Sequence, residues 1–251
     1  MKNHFLSYYI AVFLGFCFSN GITDAQNKEK NNFEDWGNKP PIIEPGECNS
    51  PPSDAIVLFD ETLDNWMTIS GENVTWHASK KGFRVIPGTG DIITKQKFGS
   101  CQLHVEWKIP DDENHKETLD WGNSGLYFMG LYEVQIYDSY MDKHKIYYNG
   151  QAGSIYKQHS PLVNSSRKPG EWQTFDIVFN APVFNTEGEL KSPASFTVFH
   201  NGVLIQNNVT LIGPTEHADY TEYKAHEDKL PLLIQCHGAG VYYRNIWIRE
   251  L

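Results

Sequence analysis

The sequence is short of positive charge. Its 251 residues carry 21 Lys and Arg against 31 Asp and Glu, a formal net charge of −10, and no basic cluster interrupts that balance. Nucleic-acid recognition rests on Lys and Arg contacts to phosphate, so the composition argues against a nucleic-acid partner and favours simple solubility. Cysteine is scarce as well: four residues and no C-x-x-C pair, which sets redox catalysis aside. No HExxH, EF-hand loop or Cys/His cluster announces a metal. Long amphipathic helical stretches and internal repeats are missing. The apolar run from Phe5 to Phe18 is too short to span a membrane as a mature helix, so no stable transmembrane segment is expected.

What is present begins at the N-terminus. Met1-Lys2-Asn3-His4 is weakly basic, an apolar stretch follows, and Thr23-Asp24-Ala25 places small residues before Gln26. That order reads as a secretory signal peptide over residues 1–25, giving an exported product in the periplasm or outside the cell. Leu14-Gly15-Phe16-Cys17 has the outline of a lipid-anchor site, but the bulky Phe16 disfavours it. Cleavage leaves Cys48, Cys101 and Cys236, an odd number that permits one disulfide and one free thiol. Cys101 falls on the apolar phase of its segment and is expected as a buried, inert thiol. Residues 26–53 are polar and proline-rich, the composition of a tether, and residues 54–251 form the folded domain.

Within that domain the pattern is one short strand after another. Cys101–Lys108 and Gln173–Phe179 alternate apolar and polar residues with period two. Phe196–His200 and Val203–Ile205 flank Asn201-Gly202, a two-residue hairpin turn. Tyr242–Leu251 reads as a final strand, while 111–120 and 181–193 read as surface loops. The chemistry-free conclusion is an all-β sandwich or barrel.

Three segments could carry chemistry. In Tyr132–Asp138, alternation sends Val134 and Ile136 inward and Glu133, Gln135 and Tyr137 together to the other face. A carboxylate, an amide and a phenol in one row can bind sugar hydroxyls and move protons. Leu233–Gly238 puts Gln235 and His237 on one phase, and imidazole titrates near neutrality. Gly153–His159 offers Tyr156 and Lys157 as a hydrogen-bonding or cationic wall, or else an exposed turn packed on Ile155. Trp121, Tyr127 and Tyr156 are candidate stacking rings for a sugar, or core residues. Tyr220, Tyr223 and His226 lie in a polar loop able to line a cleft. No cofactor is specified; a divalent metal on Glu133 and His237 requires the fold to bring them together.

Taken in order, IVLFDETLDNW (56–66), NSGLYF (123–128), YEVQIYD (132–138), GSIYKQ (153–158), RKPGEWQTFDIVF (167–179), FHNGVLIQN (199–207) and YRNIWIREL (243–251) resemble the 3-keto-disaccharide hydrolase domain family over about residues 55–251. The resemblance implies a concanavalin A-like jelly-roll sandwich of two antiparallel sheets with sugar on the concave sheet. It also implies an oxidised glucoside substrate: a C3 ketone acidifies the C2 proton, a base removes it, the C1 substituent leaves, and water adds to the enone. Glu133 and His237 are the implied proton-transfer groups. Asn123, Gln135, Gln235 and Arg244 orient the sugar, and Lys157 or a metal polarises the carbonyl. Members often carry Arg where this chain has Met129, and an acidic residue where it has Cys236; on strand phase Cys236 faces away from Gln235 and His237.

Two other readings share the fold. Laminarinase-type glucanases use an E-x-D-x-x-E strand for retaining hydrolysis. Glu133–Asp138 keeps the spacing but has Gln at the centre and Asp at the end, and an unbulged strand puts Glu133 and Asp138 on opposite faces. A non-catalytic carbohydrate-binding sandwich needs the rings and amides but no titratable pair.

Overall fold

The computed structural model describes residues 37, 39–47, 50–111, 121–218 and 220–251. The signal peptide, Cys17, Cys48, half of the leader and nearly all of the 111–120 loop lie outside the described residues. The chain divides into units Met1–Ile42 and Ile43–Leu251, and every strand belongs to the second.

Fifteen strands are described: β1 (Ile56–Phe59), β2 (Trp66–Thr68), β3 (Ala78–Ser79), β4 (Gly82–Arg84), β5 (Ile92–Phe98), β6 (Cys101–Lys108), β7 (Ser124–Phe128), β8 (Tyr132–Ile136), β9 (Gln173–Asn180), β10 (Val183–Phe184), β11 (Leu190–Ser192), β12 (Ser195–His200), β13 (Val203–Thr210), β14 (Leu230–Ile234) and β15 (Tyr242–Glu250). An eight-stranded antiparallel sheet runs β13-β12-β9-β6-β15-β4-β3, with β1 also pairing β15. A five-stranded antiparallel sheet runs β2-β5-β14-β7-β8. The all-β sandwich expected from the alternation is therefore the observed architecture. The segment read as a loop over 181–193 instead contains the small β10–β11 hairpin.

Alternation explains how the sheets meet. Trp107, Phe175, Phe179, Phe196 and Tyr243 from the large sheet, and Leu126, Phe128, Val134 and Ile136 from the small one, are essentially fully buried between them. Phe128 contacts Phe179 at 5.0 Å and Phe196 at 5.1 Å between ring centroids, close-packed aromatic geometry across the interface. Ser124 Oγ lies 2.7 Å from the Tyr243 hydroxyl and donates to the Gln235 carbonyl at 2.7 Å, tying β7 to the opposite sheet. Asn201 and Gly202 both adopt positive φ (52° and 78°), the hairpin geometry that Asn-Gly supplies.

Cys101 is 1% exposed and burial pushes its thiol up to about 12, so it is the inert thiol expected. Cys236 packs against the core and lies 3.2 Å from the Ile86 carbonyl, which accounts for an apolar residue there. Met129 is buried in the β7–β8 turn at φ 57°, beside Gly130 at φ 66°. Tyr223 packs against the core, and His226 is half-buried. The Tyr223 hydroxyl caps the Ala194 amide, and His226 Nε2 sits 2.9 Å from the Tyr132 hydroxyl on the core side.

Candidate functional site

The outer face of the five-stranded sheet is built row by row. Register pairs Met67 with Ile93, Ile93 with Leu233, Leu233 with Tyr127, and Tyr127 with Glu133. One residue from each strand thus crosses the sheet, apolar at the β2 side and polar at the β8 side. The next row holds Gln235, Gly125 and Gln135, with the Gln235 amide donating to the Gly125 carbonyl at 3.0 Å. Asn123, half-buried, continues the phase of Gly125 and Tyr127. The expected grouping of Glu133 and Gln135 opposite Val134 and Ile136 is therefore present.

That face is not a solvated one at β8. Glu133 is 2% and Gln135 3% exposed. The segment Gly153–Ile155 runs alongside β8: Gln135 donates to the Ser154 carbonyl at 3.0 Å, Gly153 donates to the Gln135 carbonyl at 2.8 Å, and Ile155 bridges Val134. Thr215 closes the other end, its hydroxyl accepting the Glu133 amide at 2.9 Å. Because Ile155 shares the inward phase of Val134, Tyr156 falls on the phase of Glu133.

Burial pushes the Glu133 carboxyl up to about 8, and a hydrogen bond from the Tyr127 phenol partly counters that rise. The carboxyl is held between protonation states at mildly alkaline pH, as acid–base groups require. Desolvation first, and the nearby Glu133 charge second, push the Tyr127 phenol upward. Desolvation also raises Tyr156, whose hydroxyl makes a short hydrogen bond with Tyr147. Gln235 donates from Nε2 to the Tyr127 hydroxyl at 3.3 Å, while its Oε1 is buried with no hydrogen-bond partner. A buried amide oxygen of this kind is an acceptor still to be satisfied. Lys157, at φ 60°, donates from Nζ to the His217 carbonyl and stands 5.7 Å from the Tyr147 and Tyr156 ring centroids.

Gly125 has a local reason to be glycine. A Cβ there would lie 2.2 Å from Glu133 Oε1 and 2.9 Å from Tyr127 Cε2, so the bare backbone makes room for the carboxyl to cross β7.

One expectation is corrected. Arg244 does not reach this face. Its neighbour Tyr243 points into the core, so Arg244 projects from the outer side of the eight-stranded sheet. There it donates from Nε to Glu106 at 2.7 Å and lies 4.1 Å from the Trp172 ring centroid. The side chain hydrogen-bonded to Glu133 is Tyr127. His237 is exposed beyond the end of β14, where the Cys236 amide turns to Asp91 Oδ1 at 2.7 Å. Trp121 stacks on His144 at 3.7 Å, and His144 Nε2 lies 3.0 Å from Asp138 Oδ2, so Asp138 is engaged there.

Tyr127 as a proton-sharing phenol, Gly125 and Thr215 were not assigned these roles by the sequence reading. The first two were derivable: a hairpin turning at Gly130 pairs Tyr127 with Glu133 and Gly125 with Gln135. Among the described residues no group of three or more His, Cys, Asp or Glu is placed to hold a metal ion. The groups around Glu133 are phenols and amides, a poor donor set for a divalent ion.

A two-sheet sandwich bearing a buried carboxyl, phenols and an open amide oxygen on one outer face is the build of a carbohydrate-active protein. The chain belongs to the 3-keto-alpha-glucoside-1,2-lyase-like domain family, whose sequence model matches residues 54–249. This is the family the motifs resemble. No curated protein matches the chain. Among solved structures, a glycosyl hydrolase candidate from Parabacteroides distasonis is 40% identical, with a TM-score of 0.79 over 94% of this chain and 99% of that one. A second glycosyl hydrolase candidate from the same organism is 20% identical, with a TM-score of 0.57 over 79% of this chain and 94% of that one; it shares the fold.

Proposed function

We propose that this protein cleaves 3-keto-glucosides by proton abstraction at C2 and elimination at C1. The observation that carries the reading is Glu133: one carboxyl, buried on the sheet face, with its pKa near 8 and the Tyr127 phenol donating to it. Ordinary retaining or inverting hydrolysis uses two carboxyls flanking the scissile bond; among the described residues the side chain seen bonded to Glu133 is a phenol, not a second carboxyl. Glu133 suits removal of a proton made acidic by a neighbouring ketone, where a carboxylate of raised pKa is the stronger base.

The Glu133 carboxylate takes the C2 proton, and the electron pair passes to the C3 oxygen. Collapse of that enolate breaks the C1–O bond, and the departing oxygen takes up a proton. Water then adds to C1 of the enone as C2 regains a proton, giving the free 3-keto sugar. We assign His237, exposed just past Gln235, as donor to the leaving oxygen. Lys157 and the Tyr156 phenol stand where they can stabilise negative charge at the C3 oxygen. The buried Oε1 of Gln235 accepts a sugar hydroxyl, and Asn123 and Gln135 flank it. From the signal-peptide pattern of residues 1–25 we infer that this activity is exported.

The test offers the full chain 3-keto-glucosides and the matching unoxidised glucosides, following aglycone release. Release from the keto substrate alone is expected. Release from the unoxidised substrate at a comparable rate overturns the reading, and saturable binding without release from either makes the protein a binding module.

A further inference from the structure

We propose a second binding site, on the outer face of the eight-stranded sheet, for an acidic saccharide. Its framework is a ladder of alternating cations and rings. Arg84 lies 5.0 Å from the Tyr242 ring centroid, Lys108 lies 4.7 Å from Tyr242 and 5.0 Å from Trp172, and Arg244 lies 4.1 Å from Trp172. Strand phase produces the ladder. Phe83, Trp107 and Tyr243 point into the core, so Arg84, Lys108, Tyr242 and Arg244 beside them point outward from β4, β6 and β15.

These side chains line a cavity of about 620 Å³ with Lys81 at its rim, a volume in the range of small-ligand sites. None of its lining residues is acidic. Arg244 is neutralised by Glu106 on its far side, whereas Lys108 is held in place by ring faces, which keep its charge without cancelling it. In a chain of net charge −10, such a concentration of cations marks a local attraction for anions. The saccharide part of the assignment rests on the carbohydrate-active reading of the chain. The ligand class is therefore a uronic-acid or other carboxylate-bearing saccharide, recognised on the side of the sandwich away from Glu133.

The experiment titrates the full chain with a glucuronic-acid-terminated disaccharide, its neutral glucosyl counterpart and phosphatidylglycerol vesicles, using calorimetry for the sugars and sedimentation for the vesicles. The expected result is saturable binding of the acidic disaccharide, at least tenfold weaker binding of the neutral one, and weakening by added salt. Lys108→Gln lowers that affinity at least tenfold and leaves release from keto-glucosides unchanged. Lys81→Glu, at an exposed position that tolerates substitution, lowers it at least threefold. Glu133→Gln leaves it unchanged. Equal binding of the neutral sugar, no saturable binding, loss only in Glu133→Gln, or attachment to vesicles alone each overturns the proposal.

Discussion

The phenol of Tyr127 donates a hydrogen bond to the carboxyl of Glu133 directly across the β7–β8 ladder, in a pair made adjacent by the three-residue turn at Met129–Leu131. The bond favours the ionised carboxyl while burial disfavours it, and burial wins. The balance between those two effects sets where the site titrates.

Removing the carboxyl should remove the chemistry and spare the binding. Glu133→Gln keeps the shape and loses the proton acceptor. The expected outcome is a fall in kcat on a 3-keto-glucoside of about 10²–10⁴-fold, with the dissociation constant for an unreactive analogue changed by less than about threefold. Single-turnover kinetics beside calorimetry check it.

The pH profile follows from the same pair. With ionised Glu133 as the base, kcat/KM rises with pH, is half-maximal near pH 8 and levels off above it. Tyr127→Phe deletes the bond that stabilises the carboxylate, so the carboxyl titrates higher and the rising limb moves to more alkaline pH, by about one unit or more. A limb that stays put or moves acidward shows that Tyr127 does not tune Glu133.

Gly125→Ala tests the close approach of the carboxyl to β7. The added methyl lands 2.2 Å from Glu133 Oε1 and 2.9 Å from Tyr127 Cε2, so the buried carboxyl and the ring must both shift. Tm should fall by about 5 °C or more. The displaced carboxyl should lower kcat by about tenfold or more.

Stability against pH should show a plateau with two limbs. Burial lowers His200 from 6.5 to about 3, so its neutral form stabilises the fold above 6.5 and that contribution is lost as pH falls toward 3. Burial raises Glu133 from 4.5 to about 8, so its contribution is complete below 4.5 and is lost as pH rises toward 8. Between 4.5 and 6.5 the two slopes cancel; outside that window stability falls by up to ~1.4 kcal/mol per pH unit on each side. Glu133→Gln should flatten the alkaline limb, and His200→Gln the acidic one. Urea unfolding at pH 4, 5.5 and 7.5 measures all three.

Much of the fold was legible because period-two alternation records which face of a strand is buried. Cys101–Lys108 was read to the residue as β6, and Asn201-Gly202 as the turn between β12 and β13. The same rule grouped Glu133 with Gln135. Alternation does not say which sheet a strand joins, and Arg244 was misplaced for that reason: β15 lies in the large sheet, so its polar phase opens on the other side of the sandwich. Nor does it say what covers a polar face. The burial of Glu133 comes from Gly153–Tyr156 and Thr215, segments distant in sequence, and that burial is what raises its pKa.

The strip of chain laid along β8 has one further effect. Outermost in its sheet, β8 would otherwise offer a bare line of amides and carbonyls to any extended peptide. Gly153–Ile155 takes up the Gln135 amide and carbonyl and bridges Val134, so no free edge remains at the site for another chain to extend. The strand that carries the proton-transfer group is thereby shielded from self-association, and loosening Gly153–Ile155 should make the protein aggregation-prone at the site itself.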